Sequence, residues 1–349
     1  MRKITVSASR AYDIIIGSDL IDRAGELAAQ VISPCRAVII SDDIVASLYS
    51  ERLIASLECA GYTPEMIVIP HGEDSKSAEN YIKILNFLSD LRLSRSDCLF
   101  ALGGGVVGDL TGFVAATYLR GIEFIQIPTT LLSMVDSSVG GKTAINLDAG
   151  KNLVGAFYQP SLVICDYSTL ETLSDEIFAD GCAEVIKYGI INDAELFGKL
   201  KNPIMPQIED VIENCVRNKR DIVNEDERDT GVRQLLNLGH TVGHAIEKCS
   251  SFDITHGSAV AIGTVLITRA AVKLGYCAED DLCEIISLFK QYNLPTECPF
   301  DAKELAAVAS ADKKRTGATI NLVIPFGIGD CRLLPTPVEQ LVEIFAKGI

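Results

Sequence analysis

The chain has 349 residues, 48% hydrophobic and 22% charged, a balance that fits a globular protein of two domains and excludes a disordered one. A formal charge of −16 excludes nucleic acid and anionic membranes as natural partners, so a local concentration of Lys and Arg would be informative. No apolar run reaches the roughly 18 residues a membrane span needs, and eleven cysteines without a Cys-x-x-Cys pair point to free thiols in a reducing, cytoplasmic setting.

In chain order, residues 1–7 (MRKITVS) lack the apolar core of a signal peptide and read as a first strand. Short β-branched runs at 37–41, 66–70, 98–102, 123–127 and 162–165 alternate with helical patterns at 18–31, 43–60, 75–91 and 106–117. That alternation predicts an α/β fold, a doubly wound, Rossmann-like domain with a parallel sheet over residues 1–173. From 174 the pattern turns helical, at 174–191, 208–223, 232–248, 256–274 and 278–291, with one hairpin near 319–334 and a last helix. A mainly α-helical C-terminal domain over 174–349 is expected.

Glycine marks the first domain. Gly103-Gly-Gly-Val-Val-Gly108-Asp109 follows a predicted strand and opens a predicted helix, the context in which G-x-G-x-x-G cradles a pyrophosphate on backbone N–H groups. Asp42, at the end of the 37–41 strand, is placed either to accept ribose hydroxyls or to cap the next helix. Gly140-Gly-Lys142-Thr143 imitates the end of a P-loop, but Asp136 stands where the first glycine belongs, which excludes one. The stretch 136–152 reads as a long polar loop that touches ligand.

The second domain holds three of the four histidines, His240, His244 and His256. Imidazoles four apart on a helix project from one face within reach of a single ion. Glu247 shares that face. A lone helical histidine is ordinarily a cap or a satisfied core residue; three so close indicate a metal centre, with spacing leaving open which donors form it.

Together these segments resemble the 3-dehydroquinate synthases, a family of sugar phosphate cyclases, over essentially the whole chain. The likeness is carried by His71-Gly-Glu-Asp-Ser-Lys76, Gly103–Asp109, Tyr118-Leu-Arg-Gly121, Pro128-Thr-Thr130, Asp136 to Asn152, Ala183-Glu-Val-Ile-Lys-Tyr-Gly189, the run 236–247 (LNLGHTVGHAIE) and His256-Gly257. The resemblance implies conversion of 3-deoxy-D-arabino-heptulosonate 7-phosphate to 3-dehydroquinate and phosphate, a lyase step of the shikimate pathway to aromatic amino acids. It implies a divalent metal, zinc or cobalt, on Glu184, His240 and His256. It implies NAD on Asp42, Glu73, Lys76, Gly105, Val106, Val107, Gly108, Asp109, Thr129, Thr130, Lys142 and Lys151 and on Thr169, Leu170, Glu171 and Thr172. The sugar phosphate substrate falls to Asp136, Lys142, Asn152, Lys187, Lys219, Arg233, Asn237 and His244, with Lys313 or Lys314, and Arg120 reaches the partner's site in a homodimer. The cations among these would form the basic island that an acidic protein needs for a phosphorylated carboxylate.

Overall fold

The structure, a computed structural model, describes residues 1–313 and 319–349, with the backbone alone for 311–313. Lys314 and the side chain of Lys313 therefore lie outside the described residues. The chain divides into two compact units, Met1–Leu173 with Ile208–Arg228, and Ser174–Gln207 with Asp229–Ile349. Among the described residues no helix is long and apolar enough to cross a membrane.

The first unit is built on a seven-stranded sheet. In chain order its elements are β1 (Arg2–Ser7), β2 (Ala11–Gly17), α1 (Ala24–Ala29), β3 (Arg36–Asp42), α2 (Asp43–Cys59), β4 (Thr63–Ile69), α3 (Ala78–Asp90), β5 (Cys98–Gly103), α4 (Gly105–Thr117), β6 (Glu123–Pro128), β7 (Lys142–Leu147), β8 (Gly150–Phe157) and β9 (Leu162–Asp166). The sheet runs β1-β2-β9-β6-β5-β3-β4, parallel except for the β1–β2 pair. Strand periodicity builds both of its faces. Ala37, Ile39, Phe100 and Ile125 meet α1 and α2 in one core, while Val38, Ile40, Leu99 and Phe124 meet α3 and α4 in the other. Helices on both faces make the fold doubly wound, as expected.

Three local departures have clear causes. The run Ile14–Ile16 within β2 is apolar at three successive positions, so no alternation marked it as a strand. The 136–152 loop becomes a π-helical turn, Ser133–Ser137, and the antiparallel hairpin β7–β8, which turns between Leu147 and Gly150. The helix expected at 18–31 shrinks to a 3-10 turn, Ile21–Arg23, and α1.

The second unit contains α5 (Asp175–Asn192), α6 (Ala194–Lys199), α8 (His240–Cys249), α9 (His256–Lys273), α10 (Glu279–Gln291), α11 (Ala302–Lys313), the hairpin β10 (Thr319–Gly327) with β11 (Asp330–Pro337), and α12 (Leu341–Gly348). Its core joins Val242, Ile246, Leu266, Leu305, Leu322 and Phe345. One helix changes sides. Helix α7 (Ile208–Glu225), expected among the helices of 174–349, belongs to the first unit. Arg2 on β1 reaches Asp210 and Glu213, the Ser7 N–H donates to Asn224 at 2.8 Å, and Lys219 bonds Asp136. An amphipathic helix goes where its apolar stripe is covered, and sequence order does not say where that is.

Candidate functional site

In the first unit, the segments expected at a dinucleotide follow the carboxyl ends of the parallel strands. Asp42 ends β3, Gly103–Gly105 joins β5 to α4, Thr129 and Thr130 follow β6, the turn Glu73–Ser75 and Lys76 follow β4, and the 3-10 turn Tyr167–Thr172 follows β9. Strands β3 and β5 are neighbours where the connections reverse direction, the crevice that open α/β sheets use for ligands. Gly104 caps α4 without a side chain, leaving first-turn N–H groups to an anion. A Cβ on Gly108 would stand 2.8 Å from Gln126 Oε1, so glycine there lets α4 lie close to β6. Asp42 Oδ1 accepts from Val45 N at 2.9 Å, which makes the capping role real whatever else the carboxylate binds.

A polar network continues from these ends. Buried Lys76 places Nζ 2.5 Å from Asp109 Oδ2, and burial pushes the Asp109 carboxyl above its usual range against the pull of that ammonium. Asn146 on β7 donates to Glu73 Oε1 at 2.7 Å and accepts from Asn152 N at 2.8 Å, tying the hairpin to the turn after β4. Asn152 itself adopts φ +58°. Lys219 donates to both Oδ1 and the carbonyl of Asp136 at 2.6 Å. Lys142 is exposed and Lys151 half-buried at the start of their strands. Val107, Leu170, Thr129 and Thr169 are buried; Val106 is half-buried, and Glu171, Thr172 and Arg120 are exposed, Thr172 bonding the Tyr49 hydroxyl at 2.6 Å.

In the second unit the histidines converge. Helix α5 supplies Glu184, fully buried, with Lys187 one turn on in contact with its carboxylate. Helix α8 supplies His240 and His244, and α9 opens with His256. Glu184 Oε1 lies 3.4 Å from His240 Nε2 and 3.5 Å from His256 Nε2. Donor atoms of the three residues all lie within 4.8 Å of one another. His240 Nδ1 stands 3.0 Å from the Leu238 carbonyl, which orients Nε2 inward. Burial, opposed by Glu184 and aided by Lys187, pushes His240 down to about 3, so its lone pair is open to a cation at neutral pH. Burial also pulls His256 down, but hydrogen bonds to Glu184 and Glu247 outweigh it and raise that imidazole to about 10. Electrostatics that hold positive charge among these carboxylates suit a divalent cation at the same point.

Two glycines permit this convergence. Gly239 turns the chain at φ +77° between the 3-10 turn Val232–Asn237 and α8, breaking the single helix expected at 232–248, and a Cβ there would meet Thr264 Oγ1 at 2.3 Å. At Gly257 a Cβ would lie 2.4 Å from the Asp180 carbonyl, so only glycine allows the start of α9 to reach α5. Asp180 holds that start in place, accepting from Thr255 Oγ1 at 2.5 Å and Ser258 N at 3.2 Å. Asn237, His240, Thr241 and His244 line an open pocket, and Arg233 is almost wholly buried.

Comparison with known proteins decides the family. Residues 66–180 match the family model for the 3-dehydroquinate synthase N-terminal region, and residues 181–315 match that for the C-terminal region. The 3-dehydroquinate synthase of Pelobacter propionicus is 42% identical, with 99% of each chain covered. The chain belongs to the 3-dehydroquinate synthase family. A second family relative, from Clostridium beijerinckii, is 44% identical over 95% of this chain and 96% of its own. Among solved structures, the 2-epi-5-epi-valiolone synthase of Streptomyces hygroscopicus, determined with NAD+ and Zn2+ bound, superposes with a TM-score of 0.88 at 26% identity, covering 99% of this chain and 98% of that one.

Of two further neighbours of the site, the sequence places Glu247 on the histidine face and does not single out Asp180. Asp180 reads locally as an ordinary surface acid, and Glu247 reads as one more carboxylate on a histidine face. No local signal marks Asp180; the i, i+4, i+7 spacing of His240, His244 and Glu247 was the available clue to Glu247.

Proposed function

We propose that the chain converts 3-deoxy-D-arabino-heptulosonate 7-phosphate to 3-dehydroquinate and phosphate, using NAD and a zinc or cobalt ion. The observation that supports it most is the convergence of Glu184, His240 and His256, two imidazoles and one carboxylate with no thiolate, a donor set that suits an open catalytic site. The strand-end segments of the first unit fit a dinucleotide on the same reading: bare N–H groups open α4, and glycine replaces side chains where a pyrophosphate would approach.

When bound, NAD supplies a transient hydride acceptor at C5 and the cation a Lewis acid for the adjacent hydroxyls, allowing oxidation, phosphate β-elimination, re-reduction, ring opening and aldol closure without net redox change. The chain's own residues bind and orient. Arg233 brings a planar two-pronged donor suited to carboxylate or phosphate, while Lys142 and Lys187 bring compact charges. Lys219 is aimed by its two bonds to Asp136, so its ammonium loses little freedom on meeting an anion. Asn152 and Asn237 direct hydroxyl groups, and the His244 imidazole, at the exposed edge of the α8 face, relays a proton. Holding one substrate through several steps makes each of them unimolecular.

The test is phosphate release from that heptulosonate phosphate, with deuterium at C5. Release with the label retained and no NADH accumulating is the expected result; NADH appearing one per turnover would refute it in favour of a dehydrogenase. In the same reading the protein is a cytoplasmic homodimer in which Arg120, exposed at φ +69°, serves the partner's site. Mixing Arg120→Ala with His240→Ala chains should restore about a quarter of full activity once subunits exchange, since half the dimers then hold one intact site. No recovery would place Arg120 in its own chain's site.

A further inference from the structure

Glu247 is outside the donor set just assigned, yet its surroundings require a reason for it. The side chain is 3% exposed and sits in the last turn of α8, where the negative end of the helix dipole disfavours a carboxylate. An apolar side chain there would join Val242 and Ile246 in the core without desolvating a charge. Its Oε2 lies 3.4 Å from His256 Nδ1, while Nε2 of the same ring lies 3.5 Å from Glu184 Oε1. The imidazole is thus clamped between carboxylates from two helices, and His240 is treated likewise by the Leu238 carbonyl at its Nδ1.

We infer that Glu247 is the positioning residue of the metal centre. By accepting the Nδ1 proton of His256, it selects the tautomer whose Nε2 lone pair points beside Glu184, and it fixes the plane of a ring whose side chain is otherwise 33% exposed at a helix start. The role rests on the metal reading given above. A ligand role for Glu247, together with His244 and His256, is the geometric rival. It would draw the ion away from Glu184, the more deeply buried carboxylate.

The experiment uses the full chain stripped of metal and titrated with zinc against a competing chelator. The unchanged chain should take up one ion. Glu247→Gln should bind about tenfold more weakly and Glu247→Ala up to about 100-fold more weakly, both still reaching one ion per chain. Glu247→Gln preserves volume, so its metal-free melting temperature should equal that of the unchanged chain, and it decides the matter if Glu247→Ala does not fold. Zinc affinity of Glu247→Gln within twofold of the unchanged chain would overturn the inference. So would a lowered metal-free melting temperature, which makes the residue merely structural, or loss of binding as complete as in Glu184→Gln, which makes it a ligand. A chain that binds no zinc even when unchanged would remove the metal reading itself, and the positioning role with it.

Discussion

The two units build their sites by different means. In the first, the groups proposed to face ligand are the bare N–H groups at the start of α4 and side chains on the segments that follow β3, β4, β5, β6 and β9, all delivered to one edge because parallel strands end together. In the second, three side chains from α5, α8 and α9, separated by up to 72 residues between Glu184 and His256, meet at one point only because the helices approach closely at glycines. A site built from strand ends is distributed and tolerates the loss of one contact. A site built from three converging donors has no redundancy.

That contrast can be broken most sharply at the donors. His256→Ala removes one of the three proposed ligands, and phosphate release should fall by about 10³-fold or more with zinc content lost, while the fold persists. Full activity at unaltered zinc stoichiometry would remove the assignment. In the first unit the corresponding change is one of stability. Lys76→Met leaves the Asp109 carboxylate buried without its ammonium and should cost about 3 kcal/mol in denaturant unfolding, with the double variant Lys76→Met, Asp109→Leu recovering most of it. Failure of the double variant to recover would show that the pair matters for something other than mutual neutralisation.

Gly257→Ala probes the approach of helices rather than a donor. The added methyl must displace the Asp180 backbone, so a loss of about 1–3 kcal/mol is expected together with weakened zinc binding, because the start of α9 carries His256. Weakened folding with unchanged zinc affinity would mean that α5 and α9 tolerate separation. The smallest effect is expected far from either site. Burial pushes Glu123 up, but hydrogen bonds from Arg10 and Ser161 outweigh it and hold the carboxyl below 4.5. Its contribution is therefore present above that value and lost as pH falls below it. With Glu123 partly exposed, Glu123→Gln should lower stability by less than about 1 kcal/mol at pH 7, and the difference should shrink towards pH 4. A difference that grows on acidification would reverse the sign of the interaction.

What was legible in the sequence is whatever is encoded over a few neighbouring residues. The alternation of 37–41, 98–102 and 123–127 with helical periods identifies the doubly wound sheet, since a strand buried on both faces must be apolar throughout. Gly103–Gly108 identifies the start of α4, and the crowding of His240, His244 and His256 identifies a metal-binding region. Which donors converge was left open by spacing, and the family resemblance named Glu184 from outside the cluster; the structure brings that carboxylate to His240 and His256. Tertiary structure alone decided the membership of α7 in the first unit, the pairing of β7 with β8, the break at Gly239 and the contact of Glu247 with His256. The place of α7 and the close approach at Gly239 depend on surfaces supplied by residues far along the chain, while the β7–β8 hairpin and the Glu247–His256 contact join near neighbours whose backbone path between them no local periodicity specifies.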